Sequence, residues 1–291
     1  MLKISQNENL SKYTFYGIGG PAKKIFFVNN IDEVGKIWAE TIKQKIPKFI
    51  LGKGSNCIFS DQGFLGHVFI LTAKNFIWNK NKITVDAGIK LQDLIEISNE
   101  KNFEDMCPLS GIPGTLGGAI CGNAGAMDAE ISNFLESVTF IDENGNKKNF
   151  EKEKCNFGYR ESIFKKKRNW FIIQATLNFS QKNINAIQKT NEIKTKRWKF
   201  LPAGKSTGCV FKNPKNETAG RLLDNLGAKN DQCGDIQISE KHANFFINKG
   251  GATQKDLIFL MKKWIKIVKE KNNILLEPEI FVCDENGKLI F

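Results

Sequence analysis

The feature that most limits the fold of this chain is a glycine-dense segment near its middle. Residues 110–125 read SGIPGTLGGAICGNAG and hold six glycines in sixteen positions, interleaved with apolar Ile, Leu and Ala. A flexible linker is typically rich in Gly and Ser and polar, which this segment is not. Glycine lets the backbone approach a ligand closely. The segment therefore predicts backbone that lies against a large ligand and points N–H groups at phosphate; tight helix packing is the alternative.

A shorter glycine loop precedes it in the chain. Gly52-Lys53-Gly54-Ser55-Asn56 directly follows a short apolar run with the pattern of a buried strand. Two glycines two residues apart let backbone N–H groups converge on an anion, and Ser and Asn side chains add donors. Cys57 stands where the GxGxxG pattern needs its third glycine, which disfavours a Rossmann fold. The first loop alone could be a simple turn, but the two loops together predict a ligand with a diphosphate and flat rings.

The rest of the chain predicts an α+β fold in two domains. A length of 291 residues exceeds one small module. Strand-like runs dominate the first part, and the texture changes near residue 185, which predicts domains at 1–185 and 186–291. The clearest helix follows Thr253, where apolar residues recur at i, i+3 and i+4: Leu257, Leu260, Met261, Trp264, Ile265 and Val268. Residues 76–85 predict a hairpin that turns at 79–81, and residues 279–282 and 289–291 predict a closing hairpin.

Charge and cysteine content exclude several classes of function. The net charge is +12, but it is carried by scattered lysines and only four arginines, whereas nucleic-acid recognition favours Arg forks and stacking aromatics. We therefore expect no nucleic-acid partner, although the charge keeps a nucleic-acid binder as a rival. Seven cysteines without a CxxC, and only two histidines, predict no metal site. No apolar run is long enough to span a membrane and the N-terminus does not have the pattern of a signal peptide, so we expect a cytoplasmic protein.

Further motifs make the sequence similar to a known family. In chain order, the glycine loops and five other segments resemble the UDP-N-acetylenolpyruvoylglucosamine reductase family, within the vanillyl-alcohol-oxidase type of flavin-binding fold. The five segments are TFYGIGGPA at 14–22, YRESIF at 159–164, GCVFKNP at 208–214, SEKHANF at 239–245 and LEPE at 276–279. The resemblance covers nearly the whole chain. It implies a PCMH-type FAD-binding domain of two α+β lobes, followed by a smaller α+β substrate-binding domain.

The resemblance also implies the cofactor and its binding residues. FAD would be bound by the two glycine loops, and NADPH would be the hydride-donating cosubstrate. A hydride would pass through the flavin to the enolpyruvyl ether of UDP-N-acetylglucosamine, giving UDP-N-acetylmuramate for peptidoglycan synthesis. The expected FAD-binding residues are Gly52, Lys53, Gly54, Ser55, Asn56, Ser110, Gly111, Gly114, Thr115, Gly117, Gly118, Ala119 and Asn123.

Three positions match the family's catalytic residues. Hydride addition places a second negative charge on the substrate carboxylate, and this requires a cation, a further polar group and a proton donor. By family match, Arg160 is the cation, Glu279 the second group and Cys209 the proton donor. The family usually has Ser at the position of Cys209. A thiol can serve as well, because an unperturbed cysteine, with a pKa of about 8.5, is mostly protonated at neutral pH.

Three further residues are expected at the substrate or nicotinamide pocket, again by family match. They are Tyr159, Lys212 and Asn213. His242 is expected to be a structural hydrogen-bonding residue, and the protein is expected to be a monomer. The main rival function is an FAD-dependent oxidase of the same superfamily, acting on an alcohol or a sugar. An oxidase would share the glycine loops but would not require GCVFKNP and LEPE.

Overall fold

The computed structural model describes residues 2–291, and these form an α+β fold as expected. Seven α-helices and sixteen short or medium strands are present among them. The helices are α1 (Val34–Lys43), α2 (Leu91–Glu100), α3 (Leu116–Cys121), α4 (Ile163–Lys166), α5 (Ala186–Phe200), α6 (Ala219–Asn225) and α7 (Gln254–Asn272). The strands are β1 (Lys3–Asn9), β2 (Pro21–Val28), β3 (Lys48–Ile50), β4 (Cys57–Ile58), β5 (Phe64–Leu71), β6 (Phe76–Asn79), β7 (Lys82–Asp86), β8 (Gly125–Ala126), β9 (Ala129–Glu130), β10 (Leu135–Ile141), β11 (Lys147–Glu151), β12 (Phe171–Asn178), β13 (Gln232–Cys233), β14 (Ile236–Ile238), β15 (Phe246–Asn248) and β16 (Phe281–Val282).

Packing divides the chain into two compact units. Unit 1 comprises the chain up to Ser5 together with Ile25–Lys53 and His67–Lys199, and unit 2 comprises Gln6–Lys24, Gly54–Gly66 and Phe200–Phe291. The chain thus enters unit 2 twice before its C-terminal part. A sequence pattern cannot indicate such excursions, because they depend on pairing with residues far along the chain. The division at 1–185 and 186–291 stays a prediction about domains as consecutive stretches of sequence.

Unit 1 contains an antiparallel sheet with the strand order β11-β10-β12-β7-β6. The expected hairpin between β6 and β7 is confirmed, with Asn79 paired to Lys82. A large hydrophobic cluster contains residues from this sheet and from the helices α1, α2 and α3. Aromatic rings make up much of it, for example Trp38, which packs edge-on against Phe69 with ring centroids 5.1 Å apart.

The first glycine loop begins at the end of β3 in unit 1. β3 pairs in parallel with β5, and Phe49 lies opposite Val68. Phe49 and Val68 are buried, as the short apolar run predicts. Since loops at the ends of parallel strands are common ligand sites, this placement suits the expected role of the loop.

Unit 2 is built around α7 and a second hydrophobic cluster. The apolar face of α7 is confirmed, because Leu257, Leu260, Met261, Trp264 and Val268 are all buried. The C-terminal hairpin is also confirmed, through a bridge between Cys283 and Leu289. One feature was not predicted: β16 also pairs in parallel with β4, which lies more than two hundred residues earlier in the chain.

We predict that α7 depends on its N-terminal cap. The Thr253 hydroxyl accepts a hydrogen bond from the Asp256 N–H at 3.2 Å, and the Asp256 carboxylate accepts one from the Thr253 N–H at 2.9 Å. Thr253→Ala should therefore lower the free energy of unfolding by about 1 kcal/mol in denaturant titration. Lys262→Ala, on the exposed side of the same helix, is the control. Equal stabilities of the Thr253 and Lys262 variants would contradict this role of the cap.

Candidate active site

The start of the first glycine loop lies against the second loop within unit 1. A Cβ added to Gly52 would lie 2.6 Å from the Thr115 Oγ1 atom, which is too close for any side chain. Thr115 in turn begins α3 and accepts a hydrogen bond from the Gly118 N–H at 3.3 Å. The glycine at 52 is therefore explained by the close approach of the two loops. The contact places the two loops side by side, and their binding of one shared ligand stays a prediction.

Most backbone N–H groups of the second loop donate hydrogen bonds to other groups of the protein. Gly117 donates to the Ala87 carbonyl at 2.9 Å, and Gly111 donates to the Gln92 side chain at 2.9 Å. Leu116 donates to the Ile89 carbonyl, also at 2.9 Å. Few N–H groups of this loop are therefore available to point at phosphate, whereas the sequence predicted many. The hydrogen bonds hold the loop in a fixed shape instead.

One feature of the second loop fits a bound ligand. Ser110 is fully buried, and its Oγ atom has no hydrogen-bond partner among residues 2–291. Gly118 and Gly122 are less tightly enclosed than Gly52, because the nearest atoms to an added Cβ lie at the ordinary contact distances of 3.5 and 3.7 Å. A buried hydroxyl without a partner is a polar group that a ligand can satisfy. Ser110 therefore fits a polar ligand such as FAD, the cofactor implied by the sequence resemblance.

Arg197 contacts the second loop and was not predicted from the sequence. Its Nη2 atom donates to the Pro108 carbonyl at 3.3 Å, and a Cβ on Gly111 would meet its Cδ atom at 2.9 Å. Gly111 also has a φ of +83°, which favours glycine. Burial lowers the pKa of the Arg197 guanidinium. The rarity of arginine in this chain was the only signal that could have pointed to Arg197.

The end of the first loop is held in unit 2. Gly54 has a φ of +62°, and a Cβ there would lie 2.2 Å from the Tyr13 carbonyl oxygen. The Gly54 carbonyl accepts a hydrogen bond from the Phe15 N–H at 2.9 Å. Asn56 donates from its side chain to the Glu279 carbonyl at 3.1 Å. Ser55 is half-buried and Lys53 is exposed.

Arg160 lies in unit 1 in a backbone conformation that is unusual for arginine. Its φ is +57°, and its Nη2 atom donates to the Gly125 carbonyl at 3.2 Å. The guanidinium lies 5.1 Å from the centre of the Tyr159 ring, and Tyr159 is 48% exposed. The Lys165 ammonium donates to the Arg160 carbonyl at 2.8 Å. Left-handed backbone is costly at arginine, and strained residues of this kind occur in turns and cluster at functional sites.

Asn123 connects the second glycine loop to the segment that carries Arg160. Its side-chain amide donates to the Glu130 carboxylate at 2.7 Å and to the Gly158 carbonyl at 3.0 Å. Its side-chain oxygen accepts from the Ser132 N–H at 3.3 Å. The amide group is therefore engaged within the protein. Contact of Asn123 with FAD stays a prediction. Because its side chain is engaged, such a contact would have to involve its backbone.

Cys209 and Glu279 lie on two segments that pack side by side in unit 2. The Glu279 N–H donates to the carbonyl of Val210, the residue after Cys209, at 2.8 Å. Cys209 forms a bridge to Phe245, and the Val210 N–H donates to the Asn244 carbonyl at 2.9 Å. The fully engaged Asn244 side chain donates to the Phe211 carbonyl at 2.8 Å and accepts from its N–H at 2.9 Å. The segments GCVFKNP, SEKHANF and LEPE therefore form one hydrogen-bonded group.

The two other predicted residues of this segment have partners nearby. Lys212 makes an ion pair with Glu277 at 3.5 Å, and the Glu277 side chain is 70% exposed. Asn213 accepts a hydrogen bond from the Ala219 N–H at 3.1 Å and so supports the start of α6. Their roles in substrate binding stay predictions. The Glu277 carbonyl also accepts a hydrogen bond from the Lys212 N–H at 2.8 Å, so the backbone of this segment is held at both Glu277 and Glu279.

No group of three or more His, Cys, Asp and Glu residues that could hold a metal ion occurs among residues 2–291. Within the same residues, no helix has the length and apolar character that crossing a bilayer requires.

Two regions of the chain match known protein families. Residues 200–283 match the family described as the C-terminal domain of UDP-N-acetylenolpyruvoylglucosamine reductase, and residues 22–150 match an FAD binding domain. The chain is 36% identical over 286 residues to UDP-N-acetylenolpyruvoylglucosamine reductase of Caldanaerobacter subterraneus, covering 97% of this chain and 94% of that protein. The same enzyme of Fusobacterium nucleatum is 35% identical, with 97% and 99% covered.

A solved structure is also similar over the full chain. It is the crystal structure of UDP-N-acetylenolpyruvylglucosamine reductase from Thermus caldophilus, which matches with a TM-score of 0.82 and 30% identity. The match covers 97% of this chain and 98% of that one.

We predict that His242 makes stability depend on pH. Its Nδ1 atom accepts a hydrogen bond from the Asn244 N–H at 3.2 Å, and burial, with a smaller effect of Lys229, lowers its pKa below 6.5. Below pH 6.5 the unfolded chain binds a proton that the folded chain does not, so the free energy of unfolding should fall as pH is lowered. His242→Gln should lose this part of the dependence. Identical pH profiles of the wild type and the variant in denaturant titrations would contradict the prediction.

Proposed function

The chain belongs to the UDP-N-acetylenolpyruvoylglucosamine reductase family, and on that basis we propose which of its residues carry each part of the reaction. It is an FAD-dependent oxidoreductase of peptidoglycan precursor synthesis that uses NADPH as the reductant. The observation that carries this conclusion is identity of 35–36% over nearly the whole length of relatives with that name. The oxidase alternative fails to explain the match of residues 200–283 to the reductase C-terminal domain.

FAD, when bound, would supply the hydride, and the protein must stabilise the negative charge that hydride addition creates. Arg160 is the proposed cation for the substrate carboxylate, because a guanidinium presents two parallel N–H donors to a planar carboxylate. The left-handed backbone of Arg160 and its bond to the Gly125 carbonyl support this role, since they place a strained arginine beside the second glycine loop.

Cys209 is the proposed proton donor to the alpha carbon of the substrate. Glu279 is the proposed second group at the carboxylate, where it must be protonated or hydrogen-bonded to avoid repelling the developing charge. The packing of the Glu279 backbone on Val210 supports their joint action, because it holds the two segments in a fixed relation within unit 2. No metal is part of the proposal.

The remaining assignments concern the substrate, the assembly and the compartment. We assign Tyr159, Lys212 and Asn213 to binding of the sugar nucleotide or the nicotinamide. The half-exposed ring of Tyr159 beside Arg160 supports the first of these. We further propose that the protein acts as a monomer in the cytoplasm, where its nucleotide substrates are found.

NADPH oxidation by the purified protein should require the enolpyruvyl sugar nucleotide. In anaerobic mixing, NADPH should bleach the yellow flavin, and addition of UDP-N-acetylenolpyruvoylglucosamine should restore the colour with formation of UDP-N-acetylmuramate. Both steps are followed by flavin absorbance, and the product by mass spectrometry. Flavin that is reduced by an alcohol or a sugar but not by NADPH would instead support the oxidase.

We predict that turnover requires a side chain at position 209 that can donate a proton, and that this side chain need not contain sulfur. Cys209→Ser should keep turnover within about tenfold of the wild type, because a hydroxyl can occupy the same place and donate a proton. Cys209→Ala should lose at least about a hundredfold in kcat, the usual effect of removing a general acid. Flavin reduction by NADPH serves as the internal control, since it needs no proton donor to the substrate. Normal turnover of the alanine variant would refute the assignment.

A further inference from the structure

Asn56 joins the first glycine loop to the segment that carries Glu279 and leads into β16. Its side-chain amide donates to the Glu279 carbonyl at 3.1 Å, and its own backbone carbonyl accepts from the Phe281 N–H at 3.0 Å. One residue of the loop therefore bonds the chain on both sides of position 280. Two hydrogen bonds to the same segment fix the direction of residues 279–281, whereas a single hydrogen bond would not.

The contact continues into regular strand pairing. Directly after Asn56, β4 pairs in parallel with β16, so that Cys57 lies opposite Phe281 and Ile58 opposite Val282. The Cys283 N–H donates to the Ile58 carbonyl at 2.9 Å. The bond from the Asn56 side chain thus extends this short ladder by one step toward Glu279. In this step the Asn56 side-chain amide acts as the donor in place of a backbone N–H group of the loop.

The other side of the Glu279 backbone is bonded as well. The Glu279 N–H donates to the Val210 carbonyl, and the Lys212 N–H donates to the Glu277 carbonyl, both at 2.8 Å. Phe211 forms a bridge to Pro278 between these two bonds. Residues 277–281 therefore lie between the Cys209 segment and the glycine loop. With both of its backbone groups bonded, Glu279 can adjust its carboxyl group only through side-chain torsions.

We propose that Asn56 is a positioning residue for Glu279, which it holds through the Glu279 carbonyl, rather than a residue whose side chain binds the cofactor. The proposal rests on the catalytic role proposed above for Glu279. Each part of the loop then has its own function. The glycines allow close approach to the cofactor, and Asn56 holds the Glu279 segment in a fixed position relative to the loop. Loss of the amide donor should therefore affect the step that needs Glu279.

The test uses Asn56→Asp, which keeps the shape of the side chain but cannot donate to a carbonyl when ionised, and Asn56→Ala. Three quantities are measured on the FAD-loaded full chain. They are flavin reduction by NADPH, flavin reoxidation by UDP-N-acetylenolpyruvoylglucosamine, and the FAD dissociation constant from flavin fluorescence on dilution. The control is Asn81→Ala, because Asn81 also donates a side-chain bond to a backbone carbonyl, that of Phe179, at 2.7 Å, but in unit 1.

Reoxidation should slow by at least about tenfold in both Asn56 variants, the size of effect expected when a reacting group is slightly misplaced. Flavin reduction and the FAD dissociation constant should stay within about threefold of the wild type. Asn81→Ala should leave all three quantities unchanged. A merely structural role would slow both half-reactions together and would not separate them.

Three results would overturn the inference. One is unchanged reoxidation in both Asn56 variants; another is FAD binding weakened about tenfold with normal reoxidation, which would make Asn56 a cofactor ligand. The third is a parallel loss of both half-reactions. Glu279→Gln separates this inference from the proposed function. Normal reoxidation in Glu279→Gln would remove the catalytic role of Glu279 itself, whereas slow reoxidation there with normal Asn56 variants would refute only the inference.

Discussion

The parallel pairing of β4 with β16 is the interaction on which the candidate site in unit 2 depends. It connects a two-residue strand that follows the first glycine loop to a two-residue strand near the C-terminus. Each strand is only two residues long, which is too short to be stable without further pairing. Paired, they bring the glycine loop, Glu279 and the Cys209 segment into one hydrogen-bonded group. The excursion of residues 54–66 into unit 2 is a consequence of this pairing.

Backbone hydrogen bonding explains how the second glycine loop can be both glycine-rich and rigid. Its N–H groups bond to carbonyls at 87 and 89 and to the side chain of Gln92, and Arg197 covers Gly111. Glycine is needed there because the loop passes close to other parts of the chain. What the loop leaves for a ligand is the Ser110 hydroxyl, which has no partner among residues 2–291. Of the two alternatives at the level of sequence, close packing is therefore present in this segment, and ligand binding by it stays a prediction.

Local patterns predicted the local structure and failed where distant residues meet. The apolar face of α7 and the hairpin of β6 and β7 follow from periodicity and turn residues, and both are confirmed. The pairing of β4 with β16 could not be predicted, because a two-residue strand has no periodicity to detect. The family was recognised from motifs, but motifs do not state what each side chain bonds. Asn123 and Asn213 thus have structural partners that the sequence did not indicate.

The most direct test of this account is hydrogen exchange at the Phe281 amide, measured by NMR with and without bound FAD. The Phe281 N–H bonds to the Asn56 carbonyl, so ordering of the glycine loop by the cofactor should slow its exchange. The Ile238 amide, which bonds to the Asp231 carbonyl elsewhere in unit 2, is the reference and should not change. Equal exchange of the Phe281 amide in the two states would contradict the claim that ordering of the first glycine loop reaches the Glu279 segment through Asn56.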